Sequence, residues 1–173
     1  MENIHIYKNN SGISYSVYPP QTFLTFEYWI YMVPQYKPQS VLMLGYAGGT
    51  VAGLIRLIWG DVPITAVDLA PREDGDRYDV NFIQADATSM PIEDESFDAV
   101  SSTCVLCHAG LGRYGDPLVE DGDLRMMKEI SRVLKPGGLA ALTFGPVAEI
   151  EEFVRVGTFH RVYTMKEALR MAE

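Results

Sequence analysis

Val41-Leu42-Met43-Leu44-Gly45-Tyr46-Ala47-Gly48-Gly49-Thr50 is the stretch that decides the fold. An apolar run stops at a glycine cluster, and Val51, Leu54, Ile55 and Ile58 then recur at helical spacing until Gly60. A buried strand that turns sharply into a helix has this form. Glycine suits the turn because it tolerates positive φ and lets a ligand approach the main chain.

Working outward, residues 4–8 and 13–18 read as two short strands around Asn9-Asn10-Ser11-Gly12, a hairpin turn. Residues 22–33 are apolar on nearly every side of a helix, which predicts burial against the sheet or a second chain. Pro34 and Pro38 close that segment. Beyond Gly60, residues 64–67 form a second strand of the sheet, ending at Asp68, and residues 81–84 a third, ending at Asp86. Residues 97–102 are a fourth. A glycine-rich loop from Gly110 to Gly122 leads into a helix carrying Leu124, Met127, Ile130, Val133 and Leu134, with Asp121 or Asp123 as its N-cap. Lys135-Pro136-Gly137-Gly138 stops the helix, and residues 139–144 are a fifth strand. Apolar strands alternating with helices predict a parallel sheet with covered faces. The connections over 69–79 and 87–96 hold only about the dozen residues that a parallel crossover needs, so their helices are one turn or absent and one face is thinly covered.

The 173 residues are enough for one domain with one core, and 47% hydrophobic with 21% charged residues is ordinary for a globular chain. A net charge of −9 argues against nucleic acid, whose phosphates require clustered Lys and Arg. The apolar runs are too short to span a bilayer, and the N-terminus lacks a signal-peptide layout. With only Cys104 and Cys107 there is no disulfide framework, so the expectation is a cytoplasmic protein without a membrane partner.

The ligand on the glycine turn can be narrowed. A P-loop needs Gly-Lys-Ser/Thr, and no lysine stands between Gly45 and Ile58. The dinucleotide fingerprint needs glycine at 45, 47 and 50, where this chain has Gly45, Ala47 and Thr50. From about Val41 to Phe144 the chain resembles the class I S-adenosyl-L-methionine (AdoMet)-dependent methyltransferases. Gly45-Tyr46-Ala47-Gly48-Gly49 is similar to their G-x-G-x-G loop, with alanine at the middle glycine. Asp68 stands where that family places the acid that binds the ribose hydroxyls, and Asp86-Ala87 where an acid and its neighbour meet the adenine. Residues 129–138 are similar to the family's helix and turn before the fifth strand. The resemblance implies an α/β fold with a doubly wound, mostly parallel Rossmann-like sheet, lacking the last one or two strands here. It divides the chain into residues 1–38, a hairpin and apolar helix, and residues 39–173, an AdoMet-binding unit. The cofactor residues it implies are Gly45, Tyr46, Ala47, Gly49, Asp68, Leu69, Asp86, Ala87 and Thr103. The chemistry of those residue types agrees: AdoMet has no phosphate, so a lysine-free loop suits it, and its ribose diol can donate to a carboxylate.

The N-terminal half is also similar to the spermidine synthase branch, through the hairpin, Gln21 to Tyr31, and Thr65-Ala66-Val67-Asp68-Leu69-Ala70-Pro71. That branch keeps its catalytic acid at the end of the fourth strand, where this chain has Ser102 and Thr103, and its loop aspartate is Gly48 here. The stretch from Gly110 to Asp123 resembles instead a group of methyltransferase-like proteins.

Cys104-Val105-Leu106-Cys107-His108 matches c-type haem attachment in letters, but it reads as a continuation of the fourth strand with buried free cysteines. His5 and His160 lack zinc-like spacing to the pair, so no metal is expected. At the mouth of the fourth strand His108 is a candidate to orient or deprotonate a nucleophile, beside Tyr114, Arg113 and Asp116 on a loop that could close as a lid. The expectation is AdoMet-dependent methyl transfer to a small molecule by a homodimer, with His108 and Tyr114 as catalytic candidates. A non-catalytic AdoMet-fold scaffold and an aminopropyltransferase are the alternatives.

Overall fold

Val41–Leu44, Ile64–Asp68, Asn81–Gln84, Phe97–Ser102 and Leu134–Leu142 are the strands β3, β4, β5, β6 and β7 of one sheet in this computed structural model. The structure describes residues 5–6, 15–16, 37–72, 77–144, 154–157 and 159–172. The sheet order is β5-β4-β3-β6-β7, and every neighbouring pair is parallel. The chain therefore builds outward from β3 to one edge, returns, and builds to the other. That reversal makes a switch point beside β3, and open α/β sheets bind ligands outside the carboxyl ends of the strands at such a point.

Side chains alternate across the sheet, as the pleat requires. Val41, Met43, Ala66 and Ala99 pack with Ala52, Ile55 and Trp59 of α1 (Thr50–Trp59). Leu42, Leu44, Val67 and Val100 pack on the opposite face with Met126, Ile130 and Val133 of α2 (Gly122–Val133) and with Ala168 of α3 (Met165–Ala172). Each large aliphatic side chain buried this way contributes about 1.5–3 kcal/mol. Both faces are thus covered, although the connections β4–β5 and β5–β6 carry no helix among the described residues. The helix of α2 and the chain of Arg132 make up for the second of these. Glu129 accepts the Met90 N–H at 2.7 Å and, with both its oxygens, the Nε and Nη2 edge of the Arg132 guanidinium, whose Nη1 reaches the Ile92 carbonyl and Asp94.

Gly60, at φ 67°, ends α1 by donating its N–H to the Arg56 carbonyl. α2 ends at Val133, one residue before β7 begins, earlier than the Leu139 expected from the sequence. The β6–β7 pairing runs Phe97↔Leu134, then Ala99↔Leu139, so Lys135-Pro136-Gly137-Gly138 forms an irregular outward step between paired positions. α3 starts with a reciprocal cap: Thr164 Oγ1 accepts the Glu167 N–H at 3.1 Å and Glu167 accepts the Thr164 N–H at 3.1 Å.

The predicted hairpin is present as β1 (His5–Ile6) paired antiparallel with β2 (Tyr15–Ser16). The predicted helix over 22–33 lies outside the described residues. β8 (Val154–Val156) and β9 (His160–Val162) pair with each other as an antiparallel ribbon and extend neither edge of the sheet. No helix among the described residues is long and apolar enough to cross a membrane.

Candidate functional site

The turn after β3 is held in a conformation most residues avoid. Gly45 has φ 80°, Gly48 φ 79° and Gly49 φ 81°, and Ala47 joins them at φ 40°. A Cβ on Gly45 would collide with the Val105 side chain, so the turn and the segment after β6 approach each other through bare backbone. Asp68, the last residue of β4, fastens this turn. Its Oδ2 accepts the Tyr46 N–H at 2.6 Å and the Ala47 N–H at 3.4 Å, while Oδ1 accepts the Ala70 N–H at 3.0 Å. Asp86, just past β5, holds the Thr88 N–H at 2.8 Å.

A cleft of roughly 340 Å³ opens at the carboxyl ends of β3, β4 and β6. Of the sequence-predicted residues, Gly45, Ala47, Asp68, Leu69, Asp86, Ala87 and Thr103 line it, and so do His108 and Tyr114. Tyr46 and Gly49 are not among its lining residues. The Tyr46 ring turns inward, edge-on to Phe82 at 5.6 Å, with the Arg72 guanidinium 5.0 Å above it and donating to its hydroxyl at 3.2 Å. Gly49 lies against the Tyr46 and Tyr78 rings, so its missing side chain makes room for packing and not for a ligand. The Tyr46 main chain meets the cleft wall only through its N–H bond to Asp68.

The Cys-x-x-Cys-His run departs from the sequence expectation as well. β6 ends at Ser102, Cys104 takes φ 56°, and Leu106–His108 forms a 3-10 turn. Cys104 is exposed, with its N–H on Thr143 Oγ1 at 2.6 Å, and only Cys107 is buried. Burial pushes the Cys107 thiol up to about 12, so it is inert at neutral pH. Among the described residues no three His, Cys, Asp or Glu side chains gather into a metal cluster.

The 3-10 turn aims the half-buried His108 at the cleft. Its Nδ1 lies 2.6 Å from the Phe159 carbonyl oxygen, an acceptor, so Nδ1 carries the proton and Nε2 keeps the lone pair in the neutral ring. Burial lowers the imidazole pKa below its ordinary value. Arg113 and His160 add to that, while the Phe159 carbonyl and Asp116 oppose it. Tyr114 meets the His108 ring edge-on at 5.5 Å. Arg113 stacks over Phe159 at 4.0 Å and over Tyr114 at 5.2 Å. Asp116 is buried and holds its own loop, taking the Tyr114 N–H at 3.1 Å and the Gly112 N–H at 3.0 Å.

What the sequence did not reveal is how this loop is anchored. Arg161 of β9 is fully buried and donates to the carbonyls of Ala109, Val119 and Glu120, the two ends of the loop. Its Nε lies 3.4 Å from Asp123, which also accepts the Tyr163 hydroxyl at 2.9 Å. Burial, then Asp123, raises the Tyr163 pKa well above its ordinary value. Asp123 Oδ2 thus serves this network while its Oδ1 accepts the Leu124 N–H at 3.0 Å, and the N-cap position falls to Asp121, one of the two residues expected, without a side-chain cap bond. At the base, Gly110 and Gly122 lie so close that a Cβ on either would meet the other's Cα at 2.9 or 2.7 Å.

A family model described as a methyltransferase domain matches residues 42–142. Over 76 residues the chain is 37% identical to the demethylmenaquinone methyltransferase of Renibacterium salmoninarum, a match covering 40% of this chain and 27% of that protein. Among solved structures, the [4+2]-cyclase SpnF superposes with a TM-score of 0.61 at 25% identity, covering 79% of this chain and 50% of that one. The Burkholderia thailandensis 1,6-didemethyltoxoflavin-N1-methyltransferase, solved with 1,6-didemethyltoxoflavin and S-adenosylhomocysteine bound, superposes with a TM-score of 0.66 at 16% identity, covering 85% and 64%. The chain thus spans about a quarter of the curated relative and half of the cyclase.

Proposed function

We propose that this chain, which belongs to the methyltransferase-domain family, binds S-adenosyl-L-methionine in the cleft beside β3 and transfers its methyl group to a small molecule. The observation that carries this reading is the convergence on one cleft of a positive-φ turn and two strand-end carboxylates, Asp68 and Asp86. The residues present fit the cofactor: the turn offers bare backbone, and the cleft wall is mostly apolar between those acids. Asp68 would take the ribose hydroxyls, Asp86 with Ala87 the adenine, and Gly45, Ala47, Leu69 and Thr103 the remaining contacts. When bound, AdoMet supplies an electrophilic methyl group on a sulfonium. The protein's share is then to hold the acceptor in line and to keep water out.

Aminopropyl transfer is disfavoured because Ser102 and Thr103, at the end of β6, bring no carboxylate to take up an amine proton. The cyclase among the structural neighbours keeps a second reading open, in which the chain binds AdoMet without transferring from it. Calorimetry with AdoMet and S-adenosylhomocysteine, repeated on Asp68→Ala, separates these. Binding with turnover supports the enzyme, and binding without turnover across amines, phenols and acids supports the scaffold. No binding by the wild type removes both. The free thiols Cys104 and Cys107 suit a reducing, cytoplasmic setting. The apolar 22–33 sequence favours a homodimer, which light scattering at micromolar concentration tests.

A further inference from the structure

We infer, on the methyl-transfer reading above, that Arg161 is a positioning residue: by clamping both ends of the loop 110–122 it fixes the acceptor wall of the cleft without touching acceptor or cofactor. Arg161 is buried and is not among the residues that line the cleft. Its Nη1 donates to the Ala109 carbonyl, where the chain leaves the 3-10 turn that carries His108. Its Nη2 donates to the Glu120 carbonyl at 2.9 Å and the Val119 carbonyl at 3.4 Å, where the loop returns. One planar, rigid fork thus sets the spacing of the two ends. Between them the loop carries Gly110, Tyr114 and Asp116, which all line the cleft, and Asp116 holds the Gly112 and Tyr114 N–H groups in place. The segment of Arg161 reaches the same wall twice more. The Phe159 carbonyl oxygen lies 2.6 Å from His108 Nδ1 and accepts Arg113 Nη1 at 3.3 Å, and the Tyr163 hydroxyl donates to Asp123 in the first turn of α2 at 2.9 Å. The proposed cofactor residues Gly45, Ala47, Asp68, Leu69, Asp86 and Ala87 stand at the ends of β3, β4 and β5, away from these bonds.

A purely stabilising role explains this arrangement less well. Apolar residues of similar volume often replace a buried ion pair without loss of stability. An apolar side chain cannot bridge carbonyls from opposite ends of a loop, which the guanidinium does with a fixed set of donors. A lysine would keep a charge facing Asp123 but would offer one ammonium in place of the fork. In-line transfer depends on where the acceptor is held, and a displacement of about 1 Å costs about 10²-fold in rate. The clamp therefore acts on the acceptor half of the reaction alone.

The test uses the full chain, AdoMet and the panel of amines, phenols and acids, with two variants. Arg161→Lys keeps the charge and loses the fork, and Arg161→Met with Asp123→Leu loses the fork and both charges, which separates placement from stability. Both should bind AdoMet and S-adenosylhomocysteine as the wild type does in calorimetry. On the members of the panel that the wild type methylates, kcat/KM for the acceptor should fall about 10²-fold while KM for AdoMet is unchanged. Tyr163→Phe, which loses a hydroxyl of the same network and keeps the fork, should retain wild-type acceptor kinetics. Amide exchange over residues 110–121, read by mass spectrometry on the ligand-free proteins, should quicken in both variants while β3 and β4 stay protected. Wild-type acceptor kinetics or wild-type loop exchange in a folded variant overturns the inference. So does a parallel loss of AdoMet affinity, or the failure of both variants to fold, since Arg161 would then serve the fold as a whole. A wild type that binds AdoMet and methylates none of the panel, or that binds no AdoMet, removes the methyl-transfer reading and this inference with it.

Discussion

The Tyr46 N–H donates to the Asp68 carboxylate at 2.6 Å, so the acid that ends β4 holds the main chain of the turn that ends β3. The same carboxylate is the group proposed to receive the ribose. Asp68 thus shapes the turn as well as facing the ligand, and the two roles separate experimentally. Asp68→Ala should weaken AdoMet binding at least tenfold by calorimetry and also lower the melting temperature of the ligand-free protein. Hydrogen bonds to a charged group contribute about 1.5–3 kcal/mol. A drop in affinity with an unchanged melting temperature would mean that the turn does not depend on Asp68.

Ala47 sits at φ 40°, a region that costs a residue bearing Cβ about 1–2 kcal/mol. Ala47→Gly should therefore raise the unfolding free energy in urea by roughly 0.5–1 kcal/mol, against the usual direction of alanine-to-glycine changes. If it destabilises instead, the alanine's contacts outweigh the strain.

Arg161 and Asp123 form a buried pair whose members lie 38 residues apart in the chain and 3.4 Å apart in space. Removing one partner leaves the other charged and dry. Arg161→Met should cost about 3–5 kcal/mol in a urea titration, a large part of the stability of an ordinary domain. The double variant Arg161→Met with Asp123→Leu should recover much of that loss, because neither charge remains. An additive double variant would show that the pair is not coupled.

How far the sequence could be read follows from where each constraint lies. The glycine turn, the strand-end acids and the capped helices are local patterns, and the structure places them close to where the residues predict. Arg161 gave no such signal. Its partners are main-chain carbonyls of a loop some forty residues away, and a single arginine in an extended segment looks like any surface charge. Asp123 hides its second role for the same reason, since its partners Arg161 and Tyr163 come from β9 and just beyond it. Tyr46 shows the limit at the site itself. The family resemblance implies it among the cofactor residues without saying which way its ring turns, and that depends on what the ring packs against, here Phe82 and Arg72. The run after β6 keeps the apolar character of a strand in its letters, yet the positive φ at Cys104 breaks the pairing.

Glu129 provides a pH test. Its hydrogen bonds to Arg132, aided by the Met90 N–H, hold its carboxyl below the ordinary value of 4.5. A carboxyl whose folded pKa is depressed contributes stability above its unfolded pKa, and that contribution is lost as the pH falls through the folded value. Wild-type stability should therefore decline below pH 4.5 with a component missing in Glu129→Gln, which is less stable at neutral pH. Parallel curves for the two proteins in acid-melting experiments would exclude Glu129 as a source of acid sensitivity.

The meeting of Gly110 and Gly122 has a consequence for how this protein could change over time. Because the loop begins and ends at one point, its contour is closed by the fold and not by its own length. Lengthening such a loop adds little entropy cost, about 0.6 kcal/mol per doubling. Residues inserted near the exposed Gly115 would lengthen the rim over the acceptor side while leaving β3, β4 and the turn between β3 and α1 unchanged. On the proposed function, substrate choice and cofactor handling are then heritable separately. A library varied between positions 112 and 118, with Asp116 kept, would change this loop while leaving the proposed cofactor turn unaltered.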